Sequence, residues 1–329
     1  MLEFNNLVIL DTYLLHTLIL NFAHHSMTSI RCLLFCKSGH NFLPNRTFIL
    51  NFIGALFLIM VSTSLPSVSQ SPRRYYHIAN GWTDVNISGK IAGKFSWQLE
   101  NQHRRQDMQG EYKSETTTGN PYNNLNQHVF RPFIHYQLNP NVRFSLMPFG
   151  WIGSNRFAEG KPFAFFSELR VSPQVILTQN LGRLRVDHRF RYEFRWLGKN
   201  QDLNDKSFVY GGDYSETNYR ERFRYQAKLT LPLNKAQMGD KTLYAQAYNE
   251  LFLNTGKNIS NLNLFDQNRV LVGFGYRLNH HYSVEASYMQ QTIFRFNNTD
   301  KNNVDLNNIL QLNFVLSNVE SLFKKTAAH

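Results

Sequence analysis

The chain is nearly free of cysteine: it has two in 329 residues, Cys32 and Cys36, both upstream of a predicted signal cleavage site. The mature protein then carries none, which fits an oxidising envelope compartment. Mean hydropathy is −0.40, which excludes a bundle of membrane helices but not a membrane barrel, whose alternate residues are polar. The chain also lacks a flexible basic run or a basic helix face. The formal net charge is +12, yet the arginines stand at every second position, so no nucleic-acid partner is expected. No internal repeat and no second domain are visible.

Chemistry-bearing constellations are missing as well. Asp187 adjoins His188 but points to the opposite face of an extended strand, so the two form no dyad. Gly273-Phe274-Gly275 resembles a piece of a nucleotide motif but has no helix after it, and glycines in a strand make room for neighbouring side chains. Cys32, Cys36 and His40 are half a zinc site without a fourth ligand, and His280-His281 falls in a short turn where solvation accounts for it. A lone inward histidine, His135, reads as structural. No catalytic residue, cofactor or metal site is assigned, and the protein is read as a non-enzyme.

What is present is alternation. In Leu181 to Trp196, LGRLRVDHRFRYEFRW, even positions from Leu184 to Trp196 are mostly apolar or aromatic, while odd positions hold five arginines, Asp187 and Glu193. An extended backbone separates these into a greasy and a charged face; a helix does not. The same rhythm gives ten strands between Lys94 and Leu316, with long connections after the first, third, fifth, seventh and ninth. This matches an all-β, antiparallel transmembrane barrel, which keeps short turns on one side and an even strand count. Trp82 to Ile91 is also strand-like, so twelve strands is the alternative to ten. The expected organisation is an N-terminal extension and signal peptide over 1–69, a periplasmic lead-in over 70–92, a barrel over 93–317 and a tail over 318–329.

Strand length, aromatics near the strand ends (Trp97, Trp196, Tyr276, Tyr282) and ions on the second face favour a membrane barrel over a soluble sandwich. Each arginine turned to lipid near the midplane costs about 2 to 4 kcal/mol, which fixes the phase with arginines inward. The run Phe265 to Asn279, FDQNRVLVGFGYRLN, with VEASYMQQ at Val284, ELRVSPQ at Glu168, HRFRYEFRW at His188, RFRYQ at Arg222 and NELFLN at Asn249, resembles a domain-of-unknown-function family of outer-membrane barrels from Bacteroidetes-type bacteria. The resemblance covers Trp82 to Leu316 and implies the fold and an outer-membrane location, with no substrate. The tail departs from the aromatic ending usual for such barrels.

The expected lumen network comprises Glu168 and Arg170; then Arg183, Arg185, Asp187, Arg189, Arg191, Glu193 and Arg195; then Arg220, Arg222 and Arg224; and singly Glu250, Arg269 and Glu285. Its leading reading is an ion-paired, closed interior. The alternatives are a narrow pore or cavity for small anionic solutes, and an outer-membrane hydrolase. Expected partners are outer-membrane lipid, periplasmic chaperones and the barrel-assembly machinery, with a small anionic solute on the pore reading.

Asn45 to Ser69 supplies a basic residue, an apolar core from Phe48 to Val61 shorter than the roughly 20 residues of a spanning helix, and small residues at Ser67 and Ser69. Cleavage is predicted after Ser69, with translation starting near Leu43. N-terminal sequencing is expected to find the precursor beginning near Leu43 and the mature chain at Gln70; a precursor beginning at Met1 would refute the internal start.

Overall fold

The computed structural model describes residues 74–107, 120–122, 124–156, 164–202, 205–207, 209, 211–256, 264–294 and 303–324. The signal segment, its cleavage after Ser69, the start near Leu43 and the Cys32, Cys36, His40 spacing lie outside the described residues.

Alternation along each segment builds the sheet. The strands are β1 (Arg74–Ala92), β2 (Phe95–Gln106), β3 (Asn124–Asn139), β4 (Val142–Arg156), β5 (Ala164–Leu181), β6 (Leu184–Lys199), β7 (Gln201–Asp202), β8 (Asp213–Pro232), β9 (Thr242–Thr255), β10 (Phe265–Arg277), β11 (Tyr282–Phe294) and β12 (Asn303–Leu316). Eleven of them close into a barrel, and the two-residue β7 lies outside it, paired with β5. Apolar side chains face out: Val270, Val272, Phe274, Leu310, Leu312 and Phe314 are all exposed, while their neighbours Arg269, Leu271, Asn307 and Ile309 are buried. Gly93 and Gly182 make the sharp β1–β2 and β5–β6 turns at φ 51° and 62°, a backbone region that favours glycine.

Neighbouring strands around the ring run antiparallel, with one exception. β12 meets β1 in parallel, from Arg74 opposite Asn303 to Ile87 opposite Leu316. An odd number of alternating strands requires such a seam. Three inward side-chain bonds lie across it: Asn80 Nδ2 to Asn307 Oδ1 at 3.0 Å, Gln311 Nε2 to Asp84 Oδ2 at 2.5 Å and Asn86 Nδ2 to Asn313 Oδ1 at 2.6 Å. They space themselves along the slant of the parallel ladder. A short helix, α1 (Glu320–Lys324), follows β12 and ties the ends of three strands together. Glu320 accepts from Lys90 N at 3.1 Å, and Asn318 Nδ2 donates to His280 O at 3.1 Å.

The count is therefore eleven, close to the ten expected and between it and the alternative of twelve. Most of the stretch read as a periplasmic lead-in, 74–92, is the first barrel strand. The even-count rule argued against that assignment, and the parallel seam removes its force. An even-stranded barrel would put both chain ends on the short-turn side. Instead β1 begins at the long-loop end, and β12 finishes at the short-turn end beside α1. An epitope inserted just before Arg74 and another placed after Lys324 are expected to be reached from opposite faces of the membrane in protease-accessibility assays. Access from one face would require an even-stranded barrel.

Candidate functional site

The charged faces of β5, β6, β8, β9 and β10 meet inside the barrel. Glu193 on β6, 1% exposed, accepts from Arg222 Nε and Nη2 at 2.9 and 2.6 Å and from Arg224 Nη1 at 2.6 Å. Glu250 on β9 is equally buried. It accepts from Arg224 Nε and Nη2 at 3.0 and 2.7 Å and from Arg189 Nη2 at 2.6 Å. Arg224 thus joins two carboxylates, and its guanidinium lies 4.3 Å from the centre of the Phe252 ring. Such charge-assisted forks are stronger than neutral hydrogen bonds and fix side-chain geometry.

Further pairs extend the network toward the long loops. Arg222 Nη1 reaches Asp266 at 2.9 Å. Glu168 receives Arg170 Nε at 2.5 Å and Arg195 Nε at 2.6 Å. Arg269 lies 3.9 Å from Glu250, 4.7 Å from the Phe252 ring centre and 5.3 Å from that of Trp82. The Arg104 guanidinium also lies over the Trp82 ring, 3.9 Å from its centre.

Two cavities flank this layer, each about 330 Å3. One reaches toward the short turns, past Asp187, Lys228 and Glu285. The other reaches toward the long loops, past Gln106, Leu197 and Asp305. Trp82, Arg104, Arg131, Arg224 and Arg269 line both. These five residues, the septum, border both cavities.

Of the residues assigned to the lumen from sequence, the septum and its surroundings bring together Glu168, Arg170, Arg189, Glu193, Arg195, Arg222, Arg224, Glu250 and Arg269. Arg191 lines the short-turn cavity without joining an ion pair among the described residues. Arg185 and Asp187 pair with each other near the short turns, where Arg185 is exposed. Glu285 accepts instead from Tyr244 at 2.7 Å and Asn313 at 2.8 Å. Arg220 Nε contacts Asn218 at 3.5 Å. Arg183 is a correction: it sits in the β5–β6 turn and donates to the carbonyls of Pro232, Leu233 and Lys235, because the turn ends the alternation that would aim it inward.

Sequence reasoning left out Trp82, Glu100, Arg104, Arg131 and Phe252. Strand parity could have found Phe252, which is two residues from Glu250 and therefore on the same face. The glycines of β10 do make room: a Cβ at Gly275 would meet the Tyr244 ring, which crosses β10 to reach Glu285 on β11.

The hydrolase alternative has one geometric point in its favour. His135 Nδ1 hydrogen-bonds Ser145 Oγ at 2.7 Å, and its Nε2 hydrogen-bonds Gln98 at 3.1 Å. Both His135 and Ser145 are buried, and neither lines either of these two cavities.

Removing one partner of a buried ion pair strands the other. Glu250→Gln is expected to lower the unfolding free energy of the vesicle-inserted barrel by about 3 kcal/mol, read by tryptophan fluorescence in urea. A change under about 0.5 kcal/mol would show that the pairs contribute little, as exposed ones do.

Comparison with known proteins bears on family and fold. No curated protein matches the chain. Among solved structures it is similar to the translocator domain of the autotransporter NalP from Neisseria meningitidis, at 13% identity and a TM-score of 0.38, over 74% of this chain and 91% of that one. Residues 79–303 match the family described as "Protein of unknown function (DUF2490)", from early in β1 to the start of β12. By that match, across most of the barrel, the chain belongs to the DUF2490 family.

Proposed function

We propose that this protein is an integral outer-membrane barrel closed to through passage by its septum. The supporting observation is Arg224, held between Glu193 and Glu250 at 2.6 and 2.7 Å with its guanidinium over Phe252. A guanidinium so clamped cannot swing aside without leaving two carboxylates uncompensated in a site shielded from water. The Arg104 and Arg269 guanidiniums both lie over the Trp82 ring, 3.9 and 5.3 Å from its centre.

The membrane location draws on the exposed apolar face, which runs around the barrel from Val85 through Leu146, Leu229, Val272 and Leu312. A contiguous apolar belt of that kind needs lipid. The partners on this reading are lipid along the belt and, during biogenesis, the periplasmic chaperones and assembly machinery that insert barrels. Short turns would then face the periplasm and long loops the exterior.

In planar bilayers the wild-type barrel is expected to show no steady current. Replacing Trp82 and Phe252 together by alanine is expected to open a conducting path, because the arginines lose the rings they lie against. Wild-type conductance at the level of the double variant would overturn the closed reading.

A further inference from the structure

In the septum Arg131, Arg224 and Arg269 each have a carboxylate within 4 Å, whereas two arginines of the chamber on its short-turn side have none among the described residues. Arg191 is only 2% exposed. Its one hydrogen bond among the described residues is from Nε to Gln174 Oε1, at 2.9 Å. The charges acting on it include Arg189, Arg224 and Arg131 on one side and Glu100, Glu193 and Glu250 on the other, but none of these carboxylates pairs with it directly among the described residues. Arg143 likewise joins no ion pair among the described residues, and its Nε is buried without an acceptor, as is that of Arg189. Arg143, Arg189, Arg191 and Lys228 line one cavity of about 330 Å3.

The carboxylates that line this chamber have other partners. Glu100 lies 2.9 Å from Arg131, and Glu250 is held by Arg224 and Arg189. Asp187 pairs with Arg185 and accepts from Thr178. Asp84 accepts from Gln102 and Gln311, and Glu285 accepts from Tyr244 and Asn313. Among the described residues no carboxylate counter-charge lies within ion-pair distance of Arg143 or Arg191. A buried guanidinium lacking one is costly, and its planar fork fits the paired oxygens of a carboxylate or phosphate.

We infer that the short-turn chamber binds a small organic oxyanion, with Arg191 and Arg143 as anchors and Lys228 beside them. The amides of Gln174, Gln226 and Gln246 line the same cavity and suit a hydroxylated or amide-bearing body. The volume lies within the range of small-molecule sites. This inference goes beyond the closed-barrel reading and rests on it only for the side of entry, which the septum restricts to the short-turn mouth.

The test uses the full barrel in detergent, titrated calorimetrically with glucose 6-phosphate as probe and with glucose as the uncharged control. Saturable binding of the phosphate ester alone is expected, weakened about tenfold or more by Arg191→Gln and by Arg143→Gln. Folding of each variant is checked by heat-modifiable migration on gels, and if Arg191→Gln fails to fold, Arg143→Gln decides. No saturable binding by the wild type, equal binding of glucose, or wild-type affinity in the folded variants would overturn the proposal. Binding in detergent is read independently of conductance, so loss of the closed reading leaves this result standing.

Discussion

The barrel interior depends on the contact of Arg224 with both Glu193 and Glu250. Three adjacent strands, β6, β8 and β9, contribute these residues, and pairing aligns them: Arg222 is opposite Glu193 and Gln226 is opposite Glu250. A shift of β8 by one residue would turn Arg222 and Arg224 toward lipid and leave both carboxylates buried without partners. The cost is paid on both faces of the sheet at once, so register here is set more firmly than by apolar burial alone.

That dependence explains why the interior is not simply greasy. A well-packed apolar replacement for a buried ion pair is often as stable or more so, and Met147, Met289, Ile309 and Phe252 show that this lumen accepts apolar side chains. A strand apolar on both faces, however, carries no penalty for facing the wrong way. The arginines of β6 and β8 supply the contrast that tells each strand which face meets lipid. The seam between β1 and β12 works by another means. It is the one parallel contact of the ring, and its inward bonds join amides and a single carboxylate. Nothing in a hydropathy pattern announces which strand ends pair in parallel.

The contrast between these two regions separates what was legible in the sequence from what was not. Ten segments with clear alternation, from Phe95 to Leu316, form strands where the pattern placed them, because an alternating chain has one low-energy phase between lipid and lumen. β1 alternates more weakly, with Asn80, Trp82 and Asp84 inward and Gly81, Thr83 and Val85 between them, and its polar outward positions blur the signal. The septum was only half visible. Arg224 and Arg269 were assigned to the lumen and Arg104 and Arg131 were not; Trp82, and Phe252 against Arg224 and Arg269, are inward aromatics that a rule of polar-inside, apolar-outside assigns to lipid unless the parity of their own strand is followed. Which arginine meets which carboxylate depends on register between strands far apart in sequence, and single-strand periodicity carries no such information.

The same register leaves Arg191 and Arg224 in opposite circumstances, although both are inward arginines on neighbouring strands and directly opposite each other. Arg224 reaches carboxylates from β6 and β9; Arg191 reaches an amide from β5 and an aromatic ring from β3. A wall built solely to hold the barrel shut would have no use for the second arrangement, since glutamine or leucine at 191 would fill the space without a buried, unmatched charge. Pairing therefore accounts for Arg224, while Arg191 below it is placed to meet the proposed anion.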